Sequence, residues 1–175
     1  MLQRARDEAG MGVIELMAAV TVLSIALLAL MAGYDSAFIS LHNAAKKSAA
    51  STLADNQLEL YSALSYSAIG LDTTTLATVQ ASNATYVVDE NGLDNAASAT
   101  DHTVNGCGTA SQCLPVQTLT GSDHKSYSVE TFVRDIANIV LSGRSERLVT
   151  IIVRDPSVTG SPVVVQQTAA FDSGP

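Results

Sequence analysis

The feature that most constrains this chain is a run without charge, Leu16 to Gly33, headed by a single acid, Glu15. About 20 apolar residues in a helix cross the hydrocarbon core of a bilayer, so a run of this length is read as membrane-inserting. The acid is the odd part. A carboxylate beside such a span is costly unless a partner meets it.

Behind the run the pattern changes without a break. Phe38, Leu41, Ala45, Ala49, Leu53, Leu60 and Leu64 recur at spacings of three and four, with Asn56 and Gln57 near the line between Leu53 and Leu60. Asp35, Asn43, Lys46, Lys47, Asp55 and Glu59 fall mostly elsewhere, which is the signature of an amphipathic helix. The alanine content favours helix, and Gly70 is placed to cap its C-terminus. Met11 to Ile69 is therefore predicted as one helix in two regimes, apolar all round and then amphipathic. From Gly12 onward such a helix would run roughly 87 Å at ~1.5 Å per residue. That is too long for a small domain to cover, so its first half must lie in lipid or against copies of itself.

Ahead of the run stands a polar leader, MLQRARDEAG, closed by Gly10. In a secretory signal peptide the cut follows the apolar region and removes it; here a cut at the glycine would leave the apolar helix in place. Arg4 and Arg6 precede the span and Lys46 and Lys47 follow it. Asp7 and Glu8 offset the leader bases but contribute little to topology, so charge lends moderate support to an N-in, C-out orientation.

Gly10, followed by Met11-Gly12-Val13-Ile14-Glu15 and the apolar run, resembles the processing site and N-terminal helix of type IV pilins and type II secretion pseudopilins. The family usually has Phe where Met11 stands and often Thr where Gly12 stands, Met being a known variant. The resemblance implies that a prepilin peptidase cuts between Gly10 and Met11 and N-methylates Met11. It also implies that Glu15 pairs with the new amine of a neighbouring subunit. Opposite charges ~4 Å apart at an effective dielectric near 20 attract by about 4 kcal/mol before desolvation costs. The implied partners are other pilin or pseudopilin subunits, the peptidase, an inner-membrane assembly platform, and the lipid bilayer before assembly. The implied location is the cytoplasmic membrane, single-pass with the head outside, and then an extracytoplasmic pilus or pseudopilus.

This divides the chain into a leader (1–10), a transmembrane and assembly half-helix (11–34), an amphipathic half-helix (35–70) and a globular β head (71–175) with a variable region, 71–122. Within that region Thr85-Tyr86-Val87-Val88-Asp89 is a short strand candidate. Three better strands follow: Tyr127–Arg134, Arg147–Arg154 and Pro162–Phe171. Ser142-Gly143 and Asp155-Pro156 with Thr159-Gly160 supply turns between them. The expected fold class is α+β, an antiparallel meander packed on the C-terminal half of the long helix, and the resemblance implies the type IV pilin fold. The Tyr-x-Val-x-Thr-x-Val strand and the Val-Thr-Ile-x-Val strand also resemble minor pilins and pseudopilins.

From Leu71 onward the head carries eleven acids and five bases, and lacks the basic stripe that nucleic-acid binding needs, so no nucleic-acid partner is expected. Cys107 and Cys113 enclose five residues, a spacing foreign to common zinc sites, with no second pair nearby. In an exported domain a disulfide is favoured over two thiols; closing that loop would stabilise by about 2.4 kcal/mol in the entropy account. Asp89, Asn91 and Asp94 flank Gly92 in a way that makes a weak calcium candidate, although no EF-hand pattern is present and a solvated acidic turn is the preferred reading. Asn83-Ala84-Thr85 matches a glycosylation sequon, of little meaning behind a prepilin-type leader. No G-x-S-x-G, G-x-x-x-x-G-K-[ST] or H-E-x-x-H motif occurs. His42 falls on the helix, and His102 and His124 in loops. The chain is therefore expected to be a structural subunit and not an enzyme, a minor pilin or pseudopilin, with a major pilin or a tip adhesin or DNA-uptake pilin as rivals.

Overall fold

In a computed structural model the described residues are 4–93, 99–107, 110–136 and 145–173. The chain divides into two compact units, Met1–Ala44 and Ala45–Pro175. Helix α1 runs Arg4–Ser62, so the first unit holds its N-terminal part and the second holds its last turns and the head.

In the first unit α1 carries its apolar side chains outward. Phe38 and Leu41, expected on the buried stripe, are as exposed as Leu16 or Met17. The few hydroxyls on this stretch satisfy themselves on the helix: Thr21 donates to the Met17 carbonyl, Ser24 to that of Val20 at 2.8 Å, and Ser40 to that of Ser36 at 3.0 Å. Back-bonding of this kind lets Ser and Thr sit in an apolar helix without an unmade hydrogen bond.

The second unit is built on a five-stranded sheet. The strands are β1 (Leu71–Asp72), β2 (Ala99–Asp101), β3 (Thr103–Val104), β4 (Val116–Thr120), β5 (Ser126–Ile136), β6 (Glu146–Arg154) and β7 (Val163–Asp172). The last three form the expected antiparallel meander, with Val129 opposite Val153 and Ile151 opposite Gln167. Along the other edge of β5, β4 pairs with its first half and β2 with its last residues, both antiparallel. β1 and β3 form a separate two-residue parallel pair.

The pleat sends alternate side chains to opposite faces. On one face Tyr127, Val129, Thr131 and Val133 of β5, with Val149, Ile151 and Val153 of β6, are all buried. The end of α1 lies against this face: Gln167 Nε2 of β7 donates to Ser51 Oγ at 3.3 Å. Its buried residues are Ala49, Ala50, Leu53, Ala54, Gln57 and Tyr61. The predicted stripe was therefore rotated at its end. Leu60 is 42 % exposed and Tyr61 takes the inward position, because a tyrosine buries its ring while its hydroxyl finds a partner.

The opposite face is covered too, which the alternation did not predict. Helices α2 (Thr73–Ser82) and α3 (Ala84–Gly92) occupy the region read as loop and strand. Tyr86 of α3 stacks on Phe132 of β5 with ring centroids 4.4 Å apart, and its hydroxyl donates to the Thr131 carbonyl at 2.9 Å. The strand expected at Thr85–Asp89 is thus a helix. Its start is set by Asn83, whose Oδ1 accepts from the Thr85 and Tyr86 amides at 3.1 Å. Asp72 caps α2 in the same way, through the Thr74 and Thr75 amides.

Helix α1 also stops sooner than expected, at Ser62 and not Ile69. A 3-10 turn, Tyr66–Ala68, follows it. Arg147 holds this exit in place: Nη1 donates to the carbonyls of Tyr66 and Ile69, Nε donates to Asp135 Oδ1 at 2.7 Å, and the guanidinium lies 4.2 Å over the Tyr66 ring. Gly70 is not a helix cap. A Cβ there would come within 2.9 Å of both His102 Cδ2 and Val104 Cγ1, so its role is to let β3 approach.

Candidate functional site

The first candidate site is the exposed apolar helix. From Val13 to Leu41, sixteen large apolar side chains are exposed, by 54% to 71%. Burying a side chain of this kind is worth roughly 1.5–3 kcal/mol. Left in water, the set would forgo tens of kcal/mol, more than the ~5–15 kcal/mol that holds a whole domain folded. This stretch therefore demands an apolar environment. The helix over Gly12–Ser62 is long and apolar enough to cross a membrane, with a mean hydropathy of 2.5 in its most apolar window.

Glu15 sits at the head of one face of this helix. With Ala18, Ala19, Val22, Leu23 and Ala26 it lines a shallow depression. The small alanines leave room for a close approach beside the carboxylate. Among the described residues no ionic or hydrogen-bonding partner meets Glu15. Gly10 and Met11 fall within α1, but as processing residues they lie outside the residues whose side chains are described.

The cysteines form the second feature. Cys107 and Cys113 are joined by a disulfide, with Cα atoms 6.0 Å apart, and Cys113 is fully buried in a 3-10 turn, Ser111–Cys113. Helix α1 fastens that turn. Gln57 Nε2 donates to the Ser111 carbonyl at 3.0 Å, and the Tyr61 hydroxyl donates to the carbonyl of Gln112. Burial, above all, raises the Tyr61 phenol well above its ordinary range, so it stays a donor. The inward turn of Gln57 and Tyr61 was the signal for this docking, and a stripe drawn through leucines alone passes over it.

The third feature is a charged cluster under α3. Arg154 of β6 contacts two acids at once: Asp89 of α3, at 3.0 Å from Nε, and Glu130 of β5, at 3.2 Å from Nε. Its Nη1 donates to the Ser161 carbonyl at 2.7 Å. Beside it, Arg134 Nη2 donates to the Glu90 carbonyl at 2.9 Å, and its Nε lies 3.5 Å from Asp101. Gln80 of α2 donates to Glu90 at 2.8 Å and to Asp101 at 3.2 Å. Two of the three residues of the calcium candidate are described. Asp89 and Asn91 are in a helix, not an acidic turn, and the Asp89 carboxylate faces Arg154. Asp94 lies outside the described residues.

Two of the histidines lie in the head. His102 Nδ1 is 2.6 Å from Asp135, close to the Arg147 anchor, and His124 occupies a turn with φ of 60°.

No family model, curated protein or solved structure matches the chain.

The architecture itself is pilin-like: a long N-terminal apolar helix whose last turns pack on an antiparallel sheet. The head adds a disulfide-stapled turn on α1 and a two-helix cover on the far face of the sheet.

Proposed function

We propose that this chain is a non-enzymatic subunit of a type IV pilus or type II secretion pseudopilus, and a minor one. The observation that carries the reading is the exposed apolar surface from Val13 to Leu41 on the same helix that ends in the head. Such a helix waits in the bilayer as a separate subunit and then buries itself against copies in a filament. Prepilin peptidase cuts after Gly10 and methylates Met11, and the amine so created on one subunit pairs with Glu15 on the next. An acid left unpaired in an apolar core is penalised, so pairing fixes the register of the helices. The depression running from Glu15 to Ala26 is where a neighbouring helix approaches. Before assembly the head lies outside the cytoplasmic membrane, where an oxidising compartment suits the Cys107–Cys113 bond.

Intact-mass and N-terminal analysis of protein from native membranes or sheared filaments tests this. The expected result is a chain beginning at N-methylated Met11, recovered with filaments in small amount. Recovery in large amount makes it a major subunit. A chain that still begins at Met1, or is cut beyond the apolar span, refutes the processing and the assembly built on it.

A further inference from the structure

Among the described residues the cluster beneath α3 holds more acid than base. Among the described residues three carboxylates, Asp89 of α3, Glu130 of β5 and Asp101 of β2, meet two guanidinium groups, Arg134 and Arg154, while the Glu90 carboxylate of α3 takes Gln80 and its carbonyl takes Arg134. Helix α2 brings the neutral Gln80, and the turn before β7 brings a carbonyl, that of Ser161. Arg154 is the sharpest case, since one cation faces two acids. Glu130 is 2% exposed and Arg154 8%, so water does little to dilute an excess charge. With both acids ionised the trio carries one uncompensated negative charge; with one proton bound it is neutral.

We propose that a proton on Glu130 latches the α2–α3 cover to the sheet, and that its loss loosens the cover and bares the Tyr86–Phe132 contact beneath. Asp89 is the only one of the trio on the cover; Glu130 and Arg154 belong to the sheet. When Glu130 is protonated, Arg154 is free to pair with Asp89 and hold α3 down. When Glu130 ionises, it competes for the same guanidinium and repels Asp89. Burial first, and then the Asp89 carboxylate, push the Glu130 carboxyl up to about 7 against the opposing pull of Arg154. Burial likewise raises Glu90. A folded-state value raised above the ordinary 4.5 means that the closed state binds the extra proton. Closure is therefore tightest below about pH 4.5 and weakens as pH rises towards 7. The latch is a property of the head and stands whether or not the chain assembles.

Amide hydrogen exchange on the full chain in detergent, at pH 5 and pH 8, tests it, with each rate divided by that of an unstructured amide at the same pH. The expected result is an opening of the α3 amides about 10- to 100-fold greater at pH 8, with the β5 amides as an unchanged internal control. Glu130→Gln, which imitates the protonated acid, holds α3 closed at both values. Asp89→Asn, which leaves Arg154 to Glu130 alone, takes away the repulsion between the two acids, so the pH dependence shrinks, and it serves if the first variant fails to fold. Equal α3 protection at both pH values in the parent chain overturns the latch. So does a pH-dependent opening that survives undiminished in either variant.

Discussion

Removing the charge at Asp155 tests how the end of α1 is held to the sheet. Asp155 closes β6 and is 4% exposed. It accepts from Lys46 Nζ of α1 at 2.5 Å, from the Ser157 amide at 2.9 Å and from the Ser157 hydroxyl at 2.5 Å. Lys46, followed by the Ser157 hydroxyl, pulls its carboxyl from 3.8 down to about 2. At 1.36 kcal/mol per pKa unit, that difference sets a ceiling of about 2.4 kcal/mol. Asp155 is shut off by immediate neighbours and not by depth, so screening by nearby water reduces the figure to about 1–2 kcal/mol. Asp155→Asn should therefore lower the melting temperature of the head at pH 7 by about 3–10 °C. The near-UV circular dichroism of the buried tyrosines, 61, 86 and 127, followed on the full chain in detergent, reads the melt. The sign is fixed by the lowered value: the stabilisation is full above about pH 4 and is lost as pH falls towards 2. The parent and variant melts should then converge at pH 2. Lys46→Met should cost a similar amount and be largely non-additive with Asp155→Asn. Equal melts at pH 7, or a gap that persists undiminished at pH 2, would refute the ion pair as the fastening.

Three smaller perturbations address other joints. Gly70→Ala places a Cβ within 2.9 Å of His102 and Val104, and should destabilise the head by about 1–3 kcal/mol in denaturant unfolding; an unchanged midpoint would mean that β3 yields freely. Reducing the Cys107–Cys113 bond should cost about 2.4 kcal/mol, and a double Cys→Ser variant, insensitive to reductant, should match the reduced parent. Tyr61→Phe removes the donor to the Gln112 carbonyl and should lose about 1–3 kcal/mol. Exchange should quicken first in the Ser111–Cys113 turn; quickening confined to α1 would contradict the docking described above.

The meander and the long helix were legible because their signals are periodic. β5, β6 and β7 repeat every second residue, and both regimes of α1 hold their pattern over many turns. What escaped depends on contacts that no local pattern carries. Thr85-Tyr86-Val87-Val88 has strong β propensity, yet Asn83 caps a helix there and Tyr86 gains a stacked partner in Phe132; packing outweighs a preference worth ~1 kcal/mol at most. The stop of α1 at Ser62 was hidden for the same reason, since Arg147, far along the chain, binds the carbonyls of Tyr66 and Ile69.

The far face of the sheet shows why charge misleads most. Glu130, Arg134 and Arg154 are charged residues in otherwise apolar strands, and charges on one face of an antiparallel sheet ordinarily mark it as solvated. All three are buried here, because α3 arrives with the Asp89 carboxylate for Arg154 and the Glu90 carbonyl for Arg134. Buried charges that lose a partner are strongly destabilising, by about 3–5 kcal/mol, so Asp89 of α3 and Arg154 of the sheet require one another. A sequence comparison restricted to strands would see three polar positions free to vary. The structure instead ties them to two residues in a region that reads as variable loop. Changes on either side should therefore be tolerated only in pairs, and Arg154→Met should recover stability when Asp89→Leu and Glu130→Leu are added, whereas Arg154→Met alone should not.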